Sequence, residues 1–274
     1  MTFDLGPALL FCPADRPERF QKASERADAI ILDLEDAVLP DAKDAARRNV
    51  IAADLDPNRV IVRVNAPDSG AFAADLAALA QTDFRTVMVA KTEDVESLAA
   101  FDERYSLIAL CETARGIHAA DRIAAHPRVS AMMWGAEDLV ASLGGTSSRH
   151  ADGGYRDIAR YARARVLLES GAHGKAAIDA VHIDLEDADG LRHEAVDAAA
   201  SGFSATACIH PNQVAAIRAA YRPDEPIENL HPSRLPRVAL RISVRLRGRR
   251  SAPRWRPTAR SNRPRRRARR APSR

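Results

Sequence analysis

The chain has 274 residues, enough for one large domain with a full core, and its 46% apolar content is that of an ordinary globular protein. No run approaches the ~20 apolar residues of a membrane span, no basic region followed by an apolar stretch marks a secretory leader, and Cys12, Cys111 and Cys208 lie too far apart for a zinc pattern, so buried free thiols and a cytoplasmic location are expected. The net charge of +4 divides unevenly: residues 222–274 hold 18 Arg, no Lys and three acids, and removing that +15 leaves −11 for residues 1–221, so an acidic body and a basic tail are read separately.

Short apolar runs at 8–12, 29–34, 60–64, 86–89, 107–111, 129–134, 180–183 and 205–209 read as strands buried on both faces of a parallel sheet. Between them the spacing predicts helices. The first, 17–27, opens on Pro17 at a first-turn position. Those that follow are 40–53, 72–80, 95–105, 114–126, 155–171, 187–201 and 212–219, whose alanine content and apolar spacing suit amphipathic helices. The connection 139–154, with Gly144, Gly145, Gly153 and Gly154, is expected to be a loop over one end of the sheet, and it lacks a P-loop Lys-Ser/Thr pattern.

Eight β/α units predict an α/β protein of the (β/α)8 TIM-barrel class over residues 1–221. A doubly wound open sheet is the competitor. Polar residues favour closure. Asp15, Glu35, Asp36, Arg63, Asn65, Lys91, Glu112, Glu137, Asp138, Asp184 and His210 all fall at the C-terminal ends of predicted strands. A barrel brings those ends to one mouth, whereas an open sheet spreads them along an edge. The tail, with eight of the sixteen prolines and clusters such as Arg265-Arg266-Arg267, is too poor in apolar residues to order itself.

Two apolar runs end on acids: 107–111 runs into Glu112, and 132–136 into Glu137 and Asp138. Glu112 and Asp138 together suit Mg2+, which favours one or two carboxylates plus water and substrate oxygens. The plainer reading is a pair of helix N-terminal acids stabilised by the helix dipole. Arg63 on the third strand is costly at a barrel mouth unless it meets anions. Its fork suits a substrate carboxylate or carbonyl, or an ion pair with Glu35, Asp36 or Glu112. Glu35 and Asp36 are placed to orient Arg63 or a metal-bound water, or to begin a helix. Arg16, Arg19 and Lys22, at i, i+3 and i+6, put positive charge on one helix side, suiting a phosphorylated ligand or plain solvent. His210 reads as structural. No G-x-S-x-G element occurs, and no cysteine sits beside a plausible base.

Six segments carry a resemblance: LFCPADRPER at 10–19, LDLEDAV at 32–38, RVN at 63–65, ETARG at 112–116, GAEDL at 135–139 and CIHP at 208–211. In this order they resemble the citrate lyase beta-subunit-like proteins of the HpcH/HpaI aldolase superfamily, in their stand-alone actinobacterial form, over residues 1 to about 223. The resemblance implies a (β/α)8 barrel, usually a homotrimer, and Mg2+-dependent cleavage or formation of a carbon–carbon bond in a β-hydroxyacyl thioester. It implies Glu112 and Asp138 as metal ligands, with Arg63 on the substrate's carboxylate or carbonyl and Glu112 beside it. Phe11, Pro13, Arg16, Lys22, Asp36, Gly135, Glu137, Ile209 and Pro211 fall where such proteins line the acyl-CoA site.

The expected activity is therefore cleavage of a β-hydroxyacyl-CoA of the malyl, citramalyl or β-methylmalyl type to an acyl-CoA and an α-keto acid. These substrates differ by groups worth only about 1–3 kcal/mol in a pocket. The alternatives are a citrate lyase beta subunit acting on a carrier-protein thioester, and a protein that binds nucleic acid non-specifically through the Arg tail by phosphate neutralisation. One departure stands out. Family members continue to a late F-x-G-x-M-V-D-x-P segment whose Asp reaches a neighbouring active site, and residues 222–274 contain nothing like it. Their Arg/Pro/Ser/Ala composition is that of a GC-rich frame read out of register, so an out-of-frame tail and an impaired enzyme are expected.

Overall fold

Eight short aliphatic runs become parallel strands: β1 (Ala8–Pro13), β2 (Ala29–Asp33), β3 (Val60–Val64), β4 (Thr86–Val89), β5 (Ser106–Cys111), β6 (Val129–Trp134), β7 (Ala176–Asp179) and β8 (Ala205–Cys208). They pair in chain order and close with β8 against β1, giving the expected barrel rather than an open sheet. The structure is a computed structural model describing residues 3–222, which lie within one compact unit. The expected Arg/Pro tail lies outside the described residues. Among the described residues no helix is long and apolar enough to cross a membrane.

Strand parity divides the core. Leu9, Ile31, Ile61, Met88, Ile108, Leu110, Met133 and Ile178 pack together inside the barrel. Their alternate neighbours, among them Leu10, Ile30, Leu32, Val62, Val87, Ala109 and Met132, form the layer shared with the helices. Each fully buried aliphatic side chain contributes about 1.5–3 kcal/mol. The same parity, continued past the apolar layer, turns Asp33, Arg63, Glu112 and Gly135 inward at the C-terminal rim.

The helices are α1 (Phe20–Arg26), α2 (Lys43–Ile51), α3 (Phe72–Leu79), α4 (Ala114–His118), α5 (Ala120–Ala125), α6 (Ala136–Ser142), α7 (Asp157–Ala172), α8 (Ala188–Ser201) and α9 (Val214–Ala220). Thr113 caps α4 by accepting the Gly116 N–H, and Asp187 caps α8 by accepting that of Gly190. Gly202 ends α8 at φ 104°, a left-handed position where a Cβ is unfavourable.

Four expectations are corrected. The seventh strand is Ala176–Asp179, not 180–183. Both runs are apolar, and pairing with β6 at Ala131–Ala176 and with β8 at Ile178–Ala205 selects the earlier one. Asp179, not the exposed Asp184, is thus the acid at its end. The predicted helix 95–105 shrinks to a 3-10 turn at Ser97–Ala100, because the Arg128 guanidinium takes the carbonyls of Leu98, Phe101 and Asp102. The helix 114–126 breaks at Ala119 (ψ 3°) into α4 and α5. The connection expected to be a loop from residue 139 begins as helix α6.

Candidate active site

Inward parity gathers Phe11 of β1, Arg63 of β3, Glu112 after β5 and Gly135 after β6 around a cavity of about 350 Å3 at the C-terminal mouth. Asp33, Asp36, Glu137, Asp138 and Ile209 also line it. The mouth of a (β/α)8 barrel is where such chemistry is found, because loops from different strands converge there.

Arg63 is 8% exposed and fixed on three sides. Its Nε and Nη2 donate to the two Asp33 oxygens at 2.7 and 2.6 Å, Nη1 lies 3.1 Å from Glu35 Oε2, and the guanidinium sits 4.8 Å from the Phe11 ring centroid. Asp33 also accepts the backbone N–H of Glu35 at 2.9 Å and of Ala37 at 3.1 Å. Burial works against the Arg63 charge, but Asp33, Glu35 and Glu112 outweigh it and hold the guanidinium above its ordinary range. Asp33 is a site residue the sequence reading missed. Its place opposite Arg63 in the β2–β3 register is the signal, and that needs the pairing.

Glu35 is buried and does not line the cavity. Besides Arg63 it accepts the Asp36 backbone N–H at 3.0 Å and pairs with the Lys91 ammonium. Burial raises the Asp36 carboxyl, yet the bond to Glu35 and the charges of Lys91 and Arg63 prevail and leave it below the usual range.

Glu112 is 3% exposed, and its Oε1 accepts the Lys91 backbone N–H at 3.1 Å. Burial pushes its carboxyl up to about 8, with Arg63 and Lys91 pulling down and Asp138 and Glu35 pushing up. A Cβ on Gly135 would lie 2.7 Å from Glu112 Oε2, so that position has no room for a side chain. Asp138 lies in the first turn of α6, partly exposed, with Oδ1 3.3 Å from Lys91 Nζ. Glu137 beside it accepts the Ser148 hydroxyl at 2.6 Å.

The pair fits a small hard cation. Glu112 and Asp138 open on one cavity, and burial disfavours the negative charge of Glu112, which a bound cation would offset. Among the described residues no cluster of three or more His, Cys, Asp or Glu is arranged to hold a metal, so a cation here completes its shell from water or ligand oxygens.

A second cavity of about 400 Å3 adjoins the first through Phe11 and Ile209 and is lined also by Pro13, Lys22 and Pro211. Arg19 lines it and Arg16 does not; Arg16 lies outside, 57% exposed beside Asp15. Arg16 is the residue before the first turn, Pro17–Arg19, with φ −118° and ψ 61° outside the helical range, so the i, i+3, i+6 spacing does not place it on the face of Lys22. His210 caps the following turn by accepting the Asn212 N–H, the structural role expected of it.

These features define a (β/α)8 barrel with an acid-rich, ligand-sized mouth, the architecture of a barrel enzyme. Residues 8–211 match the HpcH/HpaI aldolase/citrate lyase family, and the chain belongs to it. It is 54% identical over 218 residues to the citrate lyase subunit beta-like protein of Mycobacterium tuberculosis, covering 80% of each chain. It is 36% identical over 224 residues to the (3S)-malyl-CoA thioesterase of Cereibacter sphaeroides, covering 79% of this chain and 77% of that protein. The crystal structure of CitE from Mycobacterium tuberculosis in complex with magnesium, acetoacetate and coenzyme A superimposes with a TM-score of 0.79 at 53% identity, covering 80% of this chain and 82% of that one.

Proposed function

We propose that the chain is a Mg2+-dependent carbon–carbon lyase that cleaves a β-hydroxyacyl-CoA to an acyl-CoA and an α-keto acid. The observation that carries this reading is one cavity bearing both a carboxylate pair, buried Glu112 and partly exposed Asp138, and a locked guanidinium, Arg63. The magnesium and coenzyme A in the CitE complex, at 53% identity, support the same ligands here.

Mg2+ held by Glu112 and Asp138 supplies Lewis acidity toward the keto-acid oxygens. Arg63 spends its contacts with Asp33 and Glu35 on orientation, and N–H groups remain on Nη1 and Nη2 for a substrate carboxylate. Cleavage removes the β-hydroxyl proton and breaks the carbon–carbon bond. The electron pair passes to the thioester enolate, which is then protonated at carbon. Asp36, ionised and on the cavity wall, is the carboxylate placed to accept the hydroxyl proton, with Glu35 holding its backbone. Arg19 and Lys22 give the adjoining cavity positive charge suited to the CoA phosphates. The working form is proposed to be a cytoplasmic homotrimer, which sedimentation of the purified chain tests.

The deciding assay offers malyl-CoA, citramalyl-CoA and β-methylmalyl-CoA with and without Mg2+. The expected result is Mg2+-dependent appearance of an α-keto acid and an acyl-CoA, slowed by the lack of the late Asp-bearing segment in residues 222–274. Release of free CoA with the hydroxy acid intact would overturn the lyase reading in favour of thioester hydrolysis.

A further inference from the structure

Lys91 touches four acids of the mouth, Glu35, Asp36, Glu112 and Asp138, and the proposed chemistry leaves it unused. It follows β4, and at φ 48° it is the only non-glycine residue among those described with a left-handed backbone. Such outliers persist where the surrounding structure imposes them, and they concentrate at functional sites. Here the conformation aims one residue two ways. The backbone N–H donates to Glu112 Oε1, while the ammonium pairs with Glu35 and lies 3.3 Å from both Asp36 Oδ2 and Asp138 Oδ1.

We propose that Lys91 is a tethered cation that competes with a divalent metal for Asp138 and thereby sets how tightly the mouth holds that metal. The inference rests on reading Glu112 and Asp138 as the metal pair. Any divalent cation on Asp138 meets an ammonium already beside one of its oxygens, and the two positive charges repel at short range. Arg63 does not compete, because Asp33 and Glu35 hold it. Lys91 also ties Asp138 on α6 to Glu35 and Asp36 after β2, so metal binding loosens that tie. A merely structural lysine predicts the opposite sign: without it Asp138 is less well placed and the metal binds more weakly.

The test is Mn2+ titration of the full chain, read by loss of the free-ion resonance signal, for wild type, Lys91→Met, Lys91→Gly and Lys91→Arg. Lys91→Gly removes the ammonium and suits the left-handed backbone, so it guards against misfolding of the Met variant. Both neutral variants are expected to bind Mn2+ about tenfold more tightly, as loss of a nearby unit charge implies, and Lys91→Arg to stay near wild type. Unchanged or weaker binding in both neutral variants, beside measurable wild-type binding, overturns the role of Lys91 and leaves the metal site standing. Absence of Mn2+ binding in all four chains overturns both.

Discussion

Asp33 and Arg63 stand opposite each other on adjacent parallel strands and are joined by two hydrogen bonds, at 2.7 and 2.6 Å. Because Asp33 also holds the N–H groups of Glu35 and Ala37, the turn after β2 and the guanidinium on β3 form one rigid unit. The guanidinium is therefore oriented before any ligand arrives, which is the arrangement electrostatic stabilisation requires.

Arg63→Met is expected to leave Asp33 buried without its countercharge. Urea unfolding should lose about 3–5 kcal/mol. Arg63→Lys keeps a charge but loses the fork, so its kcat/KM should fall about a hundredfold or more with a smaller loss of stability.

Gly135→Ala places a methyl 2.7 Å from Glu112 Oε2 and 2.9 Å from Glu112 Cβ. The Glu112 side chain must move, and Mg2+ affinity measured calorimetrically should fall about 10–100-fold, as when a ligand's supporting contact is altered. The overall fold, read by circular dichroism, should persist.

The raised carboxyl of Glu112, about 8 against an ordinary 4.5, sets a direction for pH dependence. Between those values the folded chain binds a proton that the unfolded chain has released, so Glu112's contribution to stability is full below 4.5 and is lost as pH rises through 8. Urea midpoints measured without Mg2+ should show that loss, and Glu112→Gln should remove it. Mg2+ competes with the same proton, so its affinity should rise by about tenfold per pH unit up to 8 and then level off.

On the outer side of β7, Asp179 accepts from Trp134 Nε1 at 2.6 Å and pairs with Arg163 at 2.9 Å, and Arg163 in turn pairs with Asp197 at 2.6 Å. Arg163→Met should cost about 3 kcal/mol of unfolding free energy by stranding buried Asp179. Mg2+ affinity should be unchanged, since neither residue lines the mouth cavity.

Residues 222–274 are proposed to be read out of frame. Sequencing the locus should show a frame that, shifted near residues 221–225, encodes a family-like F-x-G-x-M-V-D-x-P segment. Absence of such a segment from every frame would refute the idea.

The sequence by itself determined the barrel, because strands buried on both faces read as continuous aliphatic runs and their spacing recurs through the chain. It also marked Arg63, Glu112 and Asp138, since charged residues just past an apolar run have few innocuous places to go. What it left open were choices made by partners distant in the chain. β6 and β8 select Ala176–Asp179 over the equally apolar run that follows, and Arg128 unwinds the helix expected at 95–105. Asp33 becomes the anchor of Arg63 only through strand register. Lys91 acquires its three carboxylate neighbours only when closure brings β2, β4 and α6 to one rim. Local pattern encodes burial and period; ion pairs between strands depend on register and closure, which no local stretch contains.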